Sequence, residues 1–244
     1  FPYPVAGHGV FHGQVGGTIS YPIFRGDLKA DEVTMNGVAL TKVYSLVYYE
    51  NGIVTLDRTG FHQGEKGKVS ARLHYDTQSD VLRGTMDVEN FDVGALLALA
   101  NQKEDRVGGA ITSHIWVGGT RDNPSLGVTG EIAAGTVAGY PVTDATVDVS
   151  LSNHVLTIDR LTGKQGDGSF SATGTVDFNG MMDVDVTAND IALGLFTGLA
   201  GVDEPVSGTG SVTAHVGGTS HSPVADVSLS AKNGGVRGGT FDAL

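Results

Sequence analysis

The sequence predicts an all-β chain: an antiparallel sheet made of repeated units of about 100 residues, each closed by one short helix. Three observations predict it. Thirty-seven of 244 residues are glycine, about twice ordinary usage, and glycine weakens helix interiors while serving turns. Apolar and polar residues alternate with a period of two over long stretches. A set of landmarks also recurs at a nearly common offset.

One octet sets that offset. Val15-Gly16-Gly17-Thr18, Val117-Gly118-Gly119-Thr120 and Val216-Gly217-Gly218-Thr219 each have proline four positions after the threonine, at Pro22, Pro124 and Pro223. The copies start 102 and then 99 positions apart. Thr55-Leu56-Asp57-Arg58 keeps step with Thr157-Ile158-Asp159-Arg160, and Gln63-Gly64-Glu65 with Gln165-Gly166-Asp167. Ser70-Ala71 matches Ser171-Ala172, Asp76 matches Asp177, and Leu99-Ala100 matches Leu199-Ala200. Units are expected over residues 9–107 and 108–206, with the start of a third over 207–244. The opening Phe1-Pro2-Tyr3-Pro4 without methionine, and a third unit that stops early, mark the sequence as a piece of a longer chain.

Within a unit the strands declare themselves. Ile111, Ser113, Ile115 and Val117 alternate with Thr112, His114 and Trp116. Val147, Val149 and Leu151 alternate with Thr146, Asp148 and Ser150. Phe170, Ala172, Gly174, Val176 and Phe178 form one stripe, and Met182-Asp183-Val184-Asp185-Val186-Thr187 repeats the pattern. Such stripes mark half-buried strands, apolar on one face and wet on the other. Turn pairs such as Ser152-Asn153 and Asn179-Gly180 separate strands of about eight to eleven residues into a meander. The octet ends a strand at Thr120, and Pro124 holds off the next strand until Leu126. Phe91, Val93, Leu96, Leu97 and Leu99, like Ile191, Leu193, Leu195, Phe196 and Leu199, fit a short helix. Asn90 or Asp92, and Asp190, are its expected caps. Each unit then holds six or seven strands and a helical turn or two.

Composition narrows the function. Lys plus Arg is 15 against 27 Asp plus Glu, a net charge of −12. No basic stripe exists for nucleic acid, and the acidic balance disfavours broad adsorption to anionic membranes. The chain has no cysteine, which excludes disulfides and cysteine zinc sites. No run of about 18 apolar residues is present to span a bilayer. With 40% apolar residues the chain folds rather than staying disordered.

The candidate chemical motifs read as structure. Gly163-Lys164 has Ile158 where a phosphate loop needs glycine, and Gln165 follows; Gly67-Lys68 has His62 at that place. The Gly163–Gly168 stretch misses the spacing of calcium nonapeptides. His8 and His12 lie four apart in a glycine-rich extended segment, which does not gather them on a helix face. Asp183 and Asp185 share a wet face, but acid–base work needs a cleft that separates their pKa values. Outward acids that discourage edge pairing explain them equally well. No catalytic, metal or cofactor site is expected.

A sheet with one apolar face cannot stand alone in water. That face must meet another sheet, close into a barrel, or be covered by a ligand. Here it is aliphatic: only nine Phe, seven Tyr and one Trp serve the whole chain.

At this point the chain resembles the TamB and AsmA-like proteins, long periplasmic proteins with repeats in which a strand runs into a V-x-G-T-x-x-x-P turn. The resemblance is carried by Val216-Gly217-Gly218-Thr219 with Pro223, by Val184-Asp185-Val186-Thr187-Ala188-Asn189-Asp190, and by the segment 191–199. It covers nearly all of the chain. Its motifs are turn residues and alternation, so order and spacing make it specific. The first unit departs at Tyr44-Ser45-Leu46-Val47-Tyr48-Tyr49, apolar on both faces: either packed against a neighbour or a wider contact surface.

The resemblance implies an elongated, strongly curved sheet, a half-pipe or taco-like groove with an apolar interior. It implies a non-catalytic bridge carrying phospholipid between the inner and outer membranes of a diderm bacterium. The parent would sit in the periplasm, anchored in the inner membrane through parts of the chain outside this sequence. An outer-membrane barrel of the TamA type is the implied partner, with a role in outer-membrane protein assembly. The expected lipid-contacting residues of the first stripe are Leu73, Met86, Val88, Ile115 and Val117. Those of the second are Val147, Val149, Leu151, Phe170, Val176, Val184 and Val186. Val212, Val216, Val227 and Leu229 continue it into the third unit. At roughly 0.8 kcal/mol per buried methylene, a stripe of this kind holds an acyl chain without a polar anchor. A different class of function fits the same stripe: a structural or adhesive β-repeat stalk of a cell-surface or autotransporter-like protein, with a closed core.

Overall fold

The computed structural model describes residues 4–102, 106–199, 206–236 and 239–243. Phe1 to Tyr3 of the opening segment and Ala200, the partner of Ala100, lie outside them. The chain is all-β, with two seven-residue helices among the described residues. The first elements are β1 (Val5–Gly7), β2 (Val10–Gly17), β3 (Pro22–Met35), β4 (Val38–Glu50), β5 (Ile53–Gln63), β6 (Gly67–Asp76), β7 (Val81–Asp92) and α1 (Val93–Leu99). Next come β8 (Val107–Thr120), β9 (Pro124–Val137), β10 (Tyr140–Ser152), β11 (Val155–Gln165), β12 (Gly168–Asp177), β13 (Met182–Ala192) and α2 (Leu193–Leu199). The last are β14 (Val206–Thr219), β15 (Ser222–Val236) and β16 (Gly239–Ala243). Among the described residues each strand from β3 to β16 neighbours the next in sequence, β1 and β2 both pair with β3, and the sheet is not closed. The chain divides into two compact units, residues 1–104 with 110–128 and residues 105–109 with 129–244.

Antiparallel neighbours need short reversals, and the sequence supplies them. Asn36-Gly37, Asn51-Gly52 and Ala138-Gly139 all have positive φ at both positions, the conformation whose twist matches that of the flanking strands. Each octet ends in a turn held by its threonine. The Thr18, Thr120 and Thr219 hydroxyls accept from the amides of Tyr21, Asn123 and Ser222 at 3.1–3.2 Å. The prolines do not delay the next strand. Pro22 and Pro124 open β3 and β9, where a first strand position need not donate to the ladder, and Pro223 is the second residue of β15.

Several strands are longer than eight to eleven residues: β3, β8, β9 and β14 have 14 each. Bulges let a long strand bend without ending. Lys42, Arg58 and Asn90 in the first unit, and Asp144 and Asp190 in the second, have φ of 48–51° beside register shifts. This corrects the expected caps. Asn90 and Asp190 are bulge residues, and their amides donate to Thr112 Oγ1 and Ser211 Oγ at 3.1 Å. Asp92 is the cap of α1, its Oδ1 accepting from Ala95 N at 2.8 Å. Phe91 and Ile191 belong to β7 and β13, not to the helices, and Phe178 lies in the turn after β12, 48% exposed.

The core of each unit gathers at the helix-bearing end of its apolar face. Phe91 is fully buried and meets Phe61 edge-on at 6.0 Å. In the second unit Val142, Ala188, Ile191 and Leu195 form one cluster, with Tyr140, Phe170 and Phe196 packed on it. Cross-strand sizes compensate between the units: Val88 faces Ser113, whereas Ala188 faces Val212.

Candidate functional site

In the second unit the register lines the apolar side chains into rows across the sheet. Val149, Ile158, Gly174, Val184, Val216 and Ala225 are successive cross-strand partners from β10 to β15. Val147, Leu161, Ala172, Val186, Ala214 and Val227 form the row beside it. Leu151 leads through Leu156 to Val176, and Phe170 leads through Ala188 and Val212 to Leu229. All eleven residues expected on this stripe therefore share one face. Val212 is buried, Val227 and Leu229 are exposed, and the rest are half-buried.

The first unit builds the same kind of face from β6 to β8. Its rows are Leu73–Gly84–Val117, Ala71–Met86–Ile115 and Val69–Val88–Ser113. Val88 and Ile115 are buried, while Leu73, Met86 and Val117 are half-buried. Ser113 is a polar intruder, buried with no partner for its hydroxyl among the described residues, whereas the buried Ser45 shares a 2.7 Å hydrogen bond with Thr59. At Tyr44–Tyr49, alternate residues face Lys29, Asp27 and Arg25 on one side of the sheet and Leu28, Gly26 and Phe24 on the other. Tyr44 and Tyr48 belong to the first set, which explains a segment apolar on both faces.

The opposite face is polar in both units and carries the ion pairs. Arg72 Nε donates to Asp57 Oδ1 at 2.7 Å, and this bond holds the Asp57 carboxyl below its usual range. Lys68 pairs with Glu89 at 3.2 Å and Lys164 with Asp144 at 3.0 Å. His114 Nδ1 lies 2.7 Å from Asp87 Oδ1, and His215 Nδ1 lies 3.0 Å from Asp185 Oδ1. The Asp185 hydrogen bond raises the His215 pKa, helped by the charges of Asp185, Asp183 and Asp226 against desolvation. Asp183 and Asp185 thus stand together with a histidine. Inspection of the sequence around the two acids misses it, because His215 is thirty residues away. Only the octet, which places β14 against β13, gives a clue.

No family model, no characterised protein and no solved structure matches the chain.

Proposed function

We propose that the chain is a non-catalytic carrier of phospholipid acyl chains, its apolar face forming the wall of a groove built from repeats of about 100 residues. The observation that carries this reading is the six-strand row from Val149 to Ala225, aliphatic at every position but Gly174 and mostly half-buried. Of the three ways to cover such a face, this reading takes the ligand.

The repeat is supported by backbone as well as sequence. Gly17, Gly119 and Gly218 have φ of 78°, 86° and 85°, and Gln63 and Gln165 each accept an amide hydrogen bond from the end of the strand that precedes a helix. The envelope setting is part of the same proposal: a periplasmic bridge from the inner to the outer membrane, working with an outer-membrane barrel of the TamA type. The stalk reading requires a sealed core instead.

Lipid extracted from the purified chain and identified by mass spectrometry tests the proposal, with photo-reactive residues at Val149 and Val184 locating the contact. Crosslinks to phospholipid at both positions are expected. Lipid-free protein that also fails to crosslink in the presence of phospholipid would overturn it.

A further inference from the structure

We propose that Asp183, Asp185 and His215 form a binding site for a divalent first-row transition ion, which clips β13 to β14 on the polar face of the second unit. The strand period creates the site. Residues i and i+2 project from one face, so both carboxylates of β13 point the same way, and the register sets His215 directly opposite Asp185. One atom from each side chain lies within 4.8 Å of the others. His215 Nδ1 is 3.0 Å from Asp185 Oδ1 and 3.8 Å from Asp183 Oδ1. Ligands about 2.0–2.2 Å from a shared ion stand roughly 3–3.6 Å apart, so small rotamer adjustments complete the set. All three residues are exposed, which leaves the remaining coordination positions to water.

The charge around the site acts in the same direction. Asp226 of β15 faces His215 from the other side, so three carboxylates surround one imidazole. The neighbouring cross-strand residues are Thr173 and Thr175 on β12 and the Thr213–Ser228 pair of β14 and β15, and none of them supplies a cation. Elsewhere on the polar faces Asp57 has Arg72, Glu89 has Lys68 and Asp144 has Lys164. The excess negative charge here is what a divalent ion neutralises. The nitrogen donor then selects the metal, since imidazole suits zinc, copper and nickel while calcium and magnesium take oxygen ligands. The Asp87–His114 pair of the first unit is an internal control. Thr85 stands two residues before Asp87, so that pair offers one carboxylate fewer.

The test is calorimetric titration of the chain with Zn2+, alongside His215→Ala, Asp183→Asn and His114→Ala. One saturable site is expected, with a zinc-dependent shift of the His215 imidazole resonances and a zinc-dependent rise in melting temperature. His215→Ala and Asp183→Asn should each weaken it at least ~10-fold, since changes even one shell further out have such effects, and His114→Ala should leave it intact. Circular dichroism without zinc checks that the variants fold. Zinc binding that is unchanged in His215→Ala and Asp183→Asn, absence of a saturable site up to millimolar zinc, or equal affinity for Ca2+ would each overturn the proposal.

Discussion

The ring of Phe170 on β12 reaches over Gly163 on β11, its cross-strand partner, so closely that a β-carbon at Gly163 would overlap the ring. Rings likewise occupy the space a β-carbon would need at Gly60 (Tyr44, its cross-strand partner), at Gly127 (Trp116) and at Gly26 (Phe11, a diagonal neighbour). Here glycine is a seat for a neighbouring ring, the device by which aromatic side chains shield weak glycine positions in sheets. Gly163→Ala is therefore expected to lose about 1–3 kcal/mol through overpacking. Gly16→Ala, where a β-carbon would meet nothing within 4 Å, should change stability by only a few tenths of a kcal/mol. Urea denaturation of both variants checks the contrast.

The Asp57–Arg72 pair gives a pH prediction of definite sign. The guanidinium holds the folded-state pKa of Asp57 below its unfolded value, so the pair contributes stability above the unfolded pKa. That contribution is lost as pH falls through the lower, folded value. Arg72→Gln should return Asp57 toward its ordinary pKa, read by carbon-13 NMR titration of the carboxyl. The stability difference between the two proteins should vanish in acid, and should shrink at high salt because both groups face solvent.

Glutamine at the end of β11 is a structural tie. Gln165 Oε1 accepts from the Ala192 amide at 2.6 Å, where β13 passes into α2, and Gln63 accepts from Asp92 at 2.9 Å before α1. Gln165→Ala removes the acceptor from a part-buried amide, with an expected loss of about 1–3 kcal/mol. Gln165→Glu keeps an acceptor oxygen and should restore most of it. Hydrogen exchange at Ala192 separates the two, with protection lost in the alanine variant and retained in the glutamate one.

These contacts mark the limit of what the sequence discloses. Val147, Val149 and Leu151 share a face because of a local period, so the stripe was legible from residues alone. The helices at 93–99 and 193–199 were legible for the same reason. What depends on register was not. Asn90 and Asp190 look like helix caps until the strand pairing makes them bulges whose amides need hydroxyls from β8 and β14. The seat of Phe170 on Gly163 and the approach of His215 to Asp183 are likewise set by which residues face each other across a ladder. Periodicity fixes the face of a side chain but not its cross-strand partner.

Val184 and Val186 distinguish a ligand-bearing wall from a dry core. Both are half-buried, with alanine, glycine or valine as cross-strand partners. An arginine there can lay its stem along the face and carry its charge toward solvent. Val184→Arg with Val186→Arg should therefore keep the far-UV spectrum and a cooperative melt while abolishing lipid crosslinking from Val149. Ile191, 1% exposed in the core cluster, is the contrast. Ile191→Ala should lose about 2–5 kcal/mol, and Ile191→Arg, which leaves an unpaired charge buried, should unfold the unit. If Val184→Arg alone unfolds the protein as Ile191→Arg does, the face is sealed and the lipid reading fails. If the double variant folds but still crosslinks lipid at Val149, then Val184 and Val186 lie off the path of the acyl chain.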